Sequence, residues 1–247
     1  MRYHSIGSMK PDYGVDAPHV IRNIFLCAIA GMIVGPVWLA VHPSGWFYVA
    51  VASYICFTGF ISLLIGCWML YGIKVAKPRL LLKMLRKLDL KGQETVLDIG
   101  CGRGLLLCKA AQRLPHGQAV GIDLWSTVDQ SGNAATKTQQ NAHAEGVSAR
   151  VKVATGDARQ LPFAEHSFDV VVSSLCLHNI KSRAEREQAL QEIVRVLKPG
   201  GKFALADIQY GQEYAAYFAS QGLYVACSAP IYRYCPPLTI VTGHKLN

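Results

Sequence analysis

The chain has 247 residues, of which 51% are hydrophobic and 17% charged, and its formal net charge is +9. This much apolar side chain excludes a disordered or fibrous protein, because it cannot remain in water. Ten Lys or Arg and only three acids precede residue 92, whereas the 156 residues that follow are almost neutral. The chain therefore has two chemically different parts, and its basic balance does not by itself indicate a nucleic-acid partner.

The first part contains a long uncharged run. Between Arg22 and Lys74 there are 51 residues without Asp, Glu, Lys or Arg, interrupted only by the polar turn His42–Gly45. A membrane span needs ~20 apolar residues. The run therefore predicts a hairpin of two transmembrane helices within residues 23–73, at about 23–41 and 46–71. A signal peptide is disfavoured, because a signal peptide has a shorter apolar core, whereas a second long span follows the first one here.

The charges around this hairpin predict its orientation. Basic residues flank both outer ends and none lies in the central turn, so the positive-inside rule places residues 1–22 and everything after the second span in the cytoplasm. We expect an integral, multi-pass protein of the cell or inner membrane. Gly31 and Gly35 form a G-x-x-x-G motif that permits close helix packing, within the hairpin or between chains of an oligomer.

A basic amphipathic helix is predicted to follow, within residues 74–91. Its apolar residues recur at helical spacing, and its cations occupy the other side. The helix either lies on an anionic leaflet, where each cation contributes ~1 kcal/mol, or packs its apolar face on the next domain. The two arrangements are compatible. The apolar residues are Leu80, Leu81, Met84, Leu85 and Leu88, and the cations are Arg79, Lys83, Arg86 and Lys87.

Residues 92–247 alternate between β-rich runs and helical stretches. Strands are predicted at 95–99, 119–122, 150–154, 168–173 and 202–207, and helices at 105–114 and about 130–144. A further helix opens at the capping box Ser182–Glu185 and ends before Lys198–Gly201. Repeated strand and helix units predict an α/β fold with a doubly wound, Rossmann-like sheet. Its ligand should lie at the carboxyl ends of the strands.

The most informative motif follows the first of these strands. Asp98 precedes a turn in which Gly100, Gly102 and Gly104 are spaced G-x-G-x-G. A dinucleotide-binding turn would read G-x-G-x-x-G. The spacing therefore disfavours a nicotinamide cofactor, and an acid beside the turn suits an ammonium group better than two phosphates.

Two more acids follow the next strands. Asp123 is placed to accept hydrogen bonds from both hydroxyls of a ribose, and Asp157 from the amino group of an adenine. A ligand with an amino acid group, a ribose and an adenine but no phosphate is S-adenosylmethionine. We therefore expect S-adenosyl-L-methionine as the cofactor.

These motifs together carry a family resemblance. Five segments between Gly92 and Lys245 resemble the successive motifs of class I S-adenosylmethionine-dependent methyltransferases, and most closely the branch of ubiquinone, menaquinone and sterol methyltransferases. The resemblance implies a seven-stranded sheet whose last strand is antiparallel, with Leu223–Ser228 and Leu238–Gly243 as its final hairpin. The five segments are Thr95–Gly104, Gly121–Asp123, Gly156–Phe163, Ser167–Val172 and Arg195–Phe203.

The resemblance also implies a role for each candidate residue. It places the turn from Asp98 to Gly104, including Cys101, at the methionine end, and Asp123 at the ribose. It places Asp157 and Ala158 at the adenine, with Leu124 or Trp125 on the adenine face. Ser174 and Leu175 follow the fourth strand at the reaction centre. His178, in the next loop, is the candidate general base; a purely structural His is the alternative, and Asp207 and Tyr210 are weaker candidates.

The eight cysteines do not predict a metal site. They include no C-x-x-C and no Cys/His pair at zinc spacing, so neither structural zinc nor a disulfide framework is expected. A thiol site for metalloid methylation, built from Cys176, Cys227 and Cys235, is weaker than the interpretation of Cys176 as a small apolar filler.

The sequence thus predicts a membrane-anchored methyltransferase that acts on a small, lipid-like acceptor. The alternative is a membrane-bound S-adenosylmethionine sensor or a catalytically silent partner subunit. Nucleic acid is not an expected partner, because the catalytic half is almost neutral and lacks an aromatic-rich basic groove.

Overall fold

The structure is a computed structural model that describes residues 10–42, 44–128 and 130–246. Residues 1–9 of the predicted cytoplasmic segment and Pro43 of the central turn lie outside the described residues.

Two long helices form an N-terminal hairpin, α1 (Pro18–Val41) and α2 (Trp46–Tyr71). Helix α1 begins before the predicted span, because Pro18 at its first turn favours helix initiation even though Arg22 is charged. Helix α2 continues through a π-helical segment, Gly72–Ala76, into α3 (Lys77–Lys87), which makes one helix of 42 residues. Both long helices have the length and apolar composition that a membrane span needs.

Small residues allow the two helices of the hairpin to pack closely. A Cβ added to Gly31 would lie 2.6 Å from the Cα of Gly59, and one added to Gly35 would lie 2.3 Å from the Sγ of Cys56. The G-x-x-x-G motif of α1 therefore faces α2 within the same chain.

Helix α3 packs its apolar face on the following domain. Leu81, Met84 and Leu85 are each 1% exposed and share one core cluster with Leu107 of that domain. Lys202 also donates a hydrogen bond to the carbonyl oxygen of Leu88, at 2.8 Å. The predicted cations of α3 are all exposed on the opposite side. The packing alternative is thus observed, and contact with an anionic leaflet remains a prediction.

The second part of the chain is a seven-stranded sheet in the order β3-β2-β1-β4-β5-β7-β6. Strand β7 runs antiparallel to both of its neighbours, and the other strand pairs are parallel, which confirms the predicted fold class. The strands are β1 (Thr95–Ile99), β2 (Gln118–Asp123), β3 (Val151–Thr155), β4 (Phe168–Ser174), β5 (Leu197–Asp207), β6 (Tyr224–Cys227) and β7 (Thr239–His244).

Helices cover both faces of the sheet, because successive residues of each strand point to opposite faces. Val96 of β1 packs in the cluster that includes α3 and α4, and Leu97 packs in the cluster that includes α6 and α7. The domain helices are α4 (Leu105–Ala111), α5 (Ala135–Ala144), α6 (Arg183–Val196) and α7 (Gly211–Ser220), with 3₁₀ turns at Ser148–Arg150 and Leu177–Asn179.

Two local predictions were wrong. Helix α5 begins at Ala135 rather than near Gln130, because the Gln130 amide group bonds to the Arg103 backbone and the segment before α1. Helix α6 starts after Ser182 as predicted, but the Ser182 side chain makes no capping bond. Glu185, the other half of the expected box, instead pairs with Arg159 at 3.0 Å.

Enlarging the glycine contact should destabilise the hairpin. Gly31→Leu places its side chain against Gly59, and overpacking of this kind costs ~1–3 kcal/mol, which lowers Tm by roughly 2–4 °C per kcal/mol in a chain of this size. Thermal unfolding of the full chain in detergent measures the effect. Ala30→Leu, at the preceding exposed position, is the matched control and should leave Tm unchanged. Equal melting temperatures for the two variants would contradict the packing.

Candidate active site

A crevice opens at the point where the order of the strands in the sheet reverses. Strands β1 and β4 are neighbours, and the strands that follow each of them extend to opposite sides of the sheet, so loops separate at their carboxyl ends. A cavity of about 660 Å³ lies there. Of the predicted site residues, the following line it: Asp98, Gly100, Cys101, Gly102, Asp123, Leu124, Asp157, Ala158, Ser174, Leu175 and His178.

The glycine turn brings bare backbone to the cavity wall. Gly100, Gly102 and Gly104 have φ angles of 68°, 51° and 84°, a region that disfavours a side chain. A Cβ on Gly100 would also lie 2.3 Å from the Sγ of Cys176. Gly104 does not line the cavity; it precedes α4, where a Cβ would lie 2.8 Å from the Cγ2 of Thr138. Its role is therefore to close the turn.

Asp98 places a carboxyl group deep in the cavity wall. It is 1% exposed, and its Oδ2 has no hydrogen-bond partner among the described residues. Burial and the nearby charge of Asp123 raise the pKa of Asp98 well above its usual value, whereas a hydrogen bond with the Leu107 backbone and the positive charge of Lys77 oppose this shift. A buried carboxyl group with one unpartnered oxygen fits a positively charged ligand group, because such a group would relieve the desolvation of the carboxylate.

Asp123 is held in place at the end of β2. Its Oδ2 accepts a hydrogen bond from the backbone N–H of Gly102 at 2.8 Å. Its Oδ1 accepts from the N–H of Trp125 at 2.6 Å and from the amide of Asn133 at 3.1 Å. Each carboxylate oxygen accepts about two hydrogen bonds, so Oδ2 retains one free acceptor position.

Asp157 is paired with Arg159, a residue that was not among the predicted site residues. Arg159 reaches both carboxylate oxygens, with its Nη2 2.6 Å from Oδ2, and this bonding lowers the pKa of Asp157. Leu124 lines the cavity with 61% of its surface exposed, whereas the indole N–H of Trp125 donates to Thr155 Oγ1 at 2.8 Å and Trp125 does not line it. Of the two residues considered for the adenine face, the cavity therefore includes Leu124.

His178 and Asp207 form a close pair beside the fourth strand. The Nδ1 of His178 lies 2.6 Å from Asp207 Oδ1, although this contact does not have the geometry of a hydrogen bond. The backbone N–H of His178 donates to the other oxygen of Asp207 at 3.1 Å. Tyr210 instead lies under the guanidinium of Arg186, 3.6 Å from its ring centre, and does not line the cavity.

The cysteines do not have the properties of a thiolate site. Burial and the nearby carboxylates of Asp123 and Asp207 raise the pKa of the Cys176 thiol, and burial also raises the pKa values of Cys227 and Cys235. In the described part of the chain, no three His, Cys, Asp or Glu side chains group as metal ligands.

The cavity also extends beyond the predicted residues, to the base of the hairpin. Its far wall combines the segment before α1, both hairpin helices, α3 and the loop between β6 and β7. The residues concerned are Asp16, His19, Val20, Met69, Ile73, Lys77, Leu81, Tyr234, Cys235 and Pro236.

The segment before α1 is bonded directly to the glycine turn. Asp12 pairs with Arg103 at 2.7 Å, and Asn141 donates to the carbonyl oxygens of both residues at 2.8 Å. The start of the hairpin is thus fixed next to the loop that carries Gly102. No local motif marks these residues, because their partners are distant in the sequence.

Residues 97–205 match the family model described as a methyltransferase domain. This region is thus similar to methyltransferase domains. Its sheet order is the one predicted for the class I fold. The family match, together with the similar methyltransferases described below, supports the predicted enzyme class and S-adenosyl-L-methionine as its cofactor.

Known proteins resemble the methyltransferase domain over part of their length. The ubiquinone/menaquinone biosynthesis C-methyltransferase UbiE of Dinoroseobacter shibae is 33% identical over 117 residues, which are 47% of this chain and 43% of that protein. This chain therefore spans less than half of that relative.

Solved structures resemble the fold. The [4+2]-cyclase SpnF has a TM-score of 0.60 at 20% identity, over 71% of this chain and 83% of its own. The phosphoethanolamine N-methyltransferase 2 of Haemonchus contortus, in complex with S-adenosyl-L-methionine, has a TM-score of 0.55 at 19% identity, over 68% of this chain and 53% of its own.

The residues of the methyltransferase domain fit S-adenosylmethionine. The buried carboxyl of Asp98, whose Oδ2 has no partner among the described residues, suits the ammonium group, and Gly100 and Gly102 bring backbone to the cavity wall beside it. Asp123, at the end of the adjacent strand, retains an acceptor for a ribose hydroxyl. The role of each individual residue remains a prediction.

Asp98→Asn should abolish cofactor binding and stabilise the cofactor-free protein. The amide cannot pair with an ammonium group, but it removes a charge whose burial opposes folding. Because the pKa of Asp98 is raised, the gain in stability should be present at neutral pH and disappear as pH falls below ~4, the pKa of an unfolded Asp. Calorimetric binding and thermal unfolding across this range measure both effects.

The wild type should also bind the cofactor less tightly as pH falls through the raised pKa of Asp98. Asp169→Asn is the control, since Asp169 pairs with Lys198 at 2.7 Å outside the cavity. It should keep cofactor affinity and gain no stability. Normal binding by Asp98→Asn would contradict the assignment of Asp98.

Proposed function

We propose that this protein is a membrane-anchored, S-adenosylmethionine-dependent methyltransferase whose acceptor is a lipid-like small molecule. The observation that carries the proposal is the single cavity that joins Asp98 and Asp123 to the base of the apolar hairpin. Such a cavity allows the reacting end of the acceptor to reach the cofactor while its tail stays with the hairpin.

The surface of the hairpin supports membrane insertion. Its outward side chains are apolar along both helices, and large ones such as Leu26, Ile33 and Phe57 are more than half exposed. A soluble monomer rarely leaves so continuous an apolar surface in water. Under this proposal the hairpin spans the bilayer with both termini and the catalytic domain in the cytoplasm, as the flanking cations favour.

The far wall of the cavity supports a lipid-like acceptor. Val20 of α1, Met69 of α2 and Ile73 of the π-helical segment line it with apolar surface. Each methylene of a tail buried there gains ~0.8 kcal/mol. An apolar chain can therefore continue from the cavity to the hairpin without crossing water.

The similarity to UbiE favours a quinone-type acceptor among lipid-like molecules, because that relative is named for ubiquinone and menaquinone biosynthesis. The hairpin and Tyr234 lie outside residues 97–205, so the far wall belongs to the part of the chain beyond the family match.

The chemistry of transfer requires positioning more than covalent catalysis. When bound, S-adenosylmethionine supplies a methyl group made electrophilic by its sulfonium. The cavity holds the nucleophile in line and excludes water, and such orientation accounts for ~7–11 kcal/mol in well-aligned reactions. Under this proposal the Asp207 carboxylate, 2.6 Å from Nδ1 of His178, orients the imidazole, and Nε2 accepts the proton that the acceptor loses.

A second candidate function is cofactor binding without methyl transfer, as in a sensor or a silent subunit. SpnF, which has a similar fold, is named as a cyclase. The fold is therefore compatible with activities other than methyl transfer.

Labelling distinguishes these functions. Membranes that contain the protein and methyl-labelled cofactor should yield labelled product in the lipid fraction, and Asp123→Ala should abolish it. Label confined to protein, nucleic acid or polar molecules would overturn the lipid-like acceptor. Cofactor binding without any labelled product would favour the sensor.

His178→Gln should lower kcat by ~10²–10⁴, the usual contribution of a general base, and leave the cofactor Kd unchanged. Asp207→Asn should act in the same direction, because it removes the group that orients the imidazole. His143→Gln, on the exposed surface of α5, is the control and should retain full activity. A fully active His178→Gln variant would restrict His178 to a structural role.

A further inference from the structure

Three polar side chains meet at the far wall of the cavity, and we call them the root cluster: Asp16, Lys77 and Tyr234. The Nζ of Lys77 lies 3.0 Å from Oδ1 and 2.8 Å from Oδ2 of Asp16. The hydroxyl of Tyr234 donates to Asp16 Oδ2 at 3.3 Å. The three residues come from the segment before α1, the start of α3 and the loop between β6 and β7.

Stability alone does not account for the root cluster. Lys77 is 8% exposed and Tyr234 is 4% exposed, so the Lys77–Asp16 pair is largely removed from water. Burying an ion pair is often no more favourable than burying apolar side chains of similar volume. The three residues also line the ligand cavity, although Tyr234 packs in the core cluster of α3 as well.

The root cluster retains hydrogen-bonding capacity toward the cavity. The ammonium group of Lys77 has three N–H donors, and Asp16 is its one partner among the described residues. Burial and the charge of Asp16 raise the pKa of Tyr234, so its hydroxyl stays protonated and remains a donor. The Tyr234–Asp16 bond is long, which makes it easy to exchange for a better acceptor.

The position of the cluster relates it to both ends of the cavity. The charge of Lys77 acts on Asp98, which is predicted to lie at the methionine end. Ile73, one helical turn before Lys77, provides apolar surface on the other side. A ligand group at the cluster would therefore lie beside the apolar surface of the far wall and within range of the charge that acts on Asp98, as the head group of a lipid-like acceptor requires.

We infer that the root cluster binds an oxygen atom of the acceptor head group, with Lys77 and Tyr234 as donors and Asp16 holding Lys77 in place. The inference rests on the proposed function and specifies its substrate class. One cationic donor, Lys77, and one neutral donor, Tyr234, favour a phenol, enol or quinol oxygen, and they disfavour an amine head group. The three residues are positioning residues, since they determine which acceptor is held at the reaction centre.

Conservative variants of the purified full-length chain test this inference. The probe is a naphthoquinol with one prenyl chain, supplied in detergent micelles with S-adenosylmethionine. Tyr234→Phe removes only the hydroxyl, and should raise KM for the probe by ~3–10-fold, the value of one net hydrogen bond. Lys77→Met, made with Asp16→Asn so that no unpaired charge is buried, should raise it by ~10–100-fold. The Kd for S-adenosylmethionine should not change in Tyr234→Phe, because that variant removes no charge near Asp98.

Two matched controls lie on the same elements but outside the cavity. Lys83→Met removes an exposed cation of α3. Tyr232→Phe removes the hydroxyl of a residue that is 65% exposed, in the same loop as Tyr234. Both should keep the wild-type KM. A prenylated naphthylamine of the same tail length should be a poorer ligand than the quinol for the wild type, and the difference should shrink in Tyr234→Phe.

Each outcome supports or overturns the inference. An unchanged KM in Tyr234→Phe and in the double variant overturns it, as does wild-type protein that neither binds nor methylates the naphthoquinol. A weaker Kd for S-adenosylmethionine with an unchanged acceptor KM would assign Lys77 to the cofactor carboxylate instead. Label in membrane lipids together with either result leaves the proposed function intact, whereas membranes without labelled lipid overturn the proposed function and this inference together.

Discussion

A single buried carboxyl group, that of Asp98, is the constraint around which the cavity is built. Its Oδ2 has no partner among the described residues, and burial opposes its ionisation. The Asp123 carboxylate next to it makes its negative charge still more costly. Lys77, brought from the base of the hairpin, is the cation that acts on it. We expect a ligand with an ammonium group to pair with this carboxylate and so to relieve the cost of its burial.

The hairpin is attached to the catalytic domain at both of its ends, and these attachments place it beside the cavity. Because α2 runs without interruption into α3, and α3 packs on the domain core, the apolar hairpin holds a fixed position relative to the sheet. The bonds from Asp12 to Arg103 and Asn141 fix the other end of the hairpin next to the glycine turn. The hairpin therefore contributes directly to the wall of the cavity, in addition to any role as an anchor.

The sequence predicted features that depend on local chemistry. Strand β1 begins and ends at the predicted residues, and the spacing of Gly100, Gly102 and Gly104 identified the turn, because a buried strand and a glycine turn are both determined by neighbouring residues. The uncharged run predicted the hairpin for the same reason. Of the bounds of the two hairpin helices, only the start of α1 differs from the prediction, because the first residue of a charge-free run is not a signal for helix initiation.

Features that depend on distant partners were not predictable in this way. The Asp157–Arg159 pair lies within a short segment, but whether it forms depends on the loop conformation and on Glu185 of α6. Asp16, Lys77 and Tyr234 meet only in the folded chain. In the sequence, Lys77 is indistinguishable from the other cations that follow the hairpin. The capping box predicted at Ser182 does not form, and Glu185 pairs instead with Arg159, a residue that the local motif does not include.

The length of the continuous helix has a consequence for depth. A hydrocarbon layer of ~30 Å takes about 20 residues of helix, so a span that enters near Trp46 leaves the layer near residue 66. Ile73 and Lys77 then follow ~10 and ~16 Å further along the axis. With the hairpin inserted as proposed, the cavity stands at the level of the phospholipid head groups, so that an acceptor ring could react while its tail remains among the acyl chains.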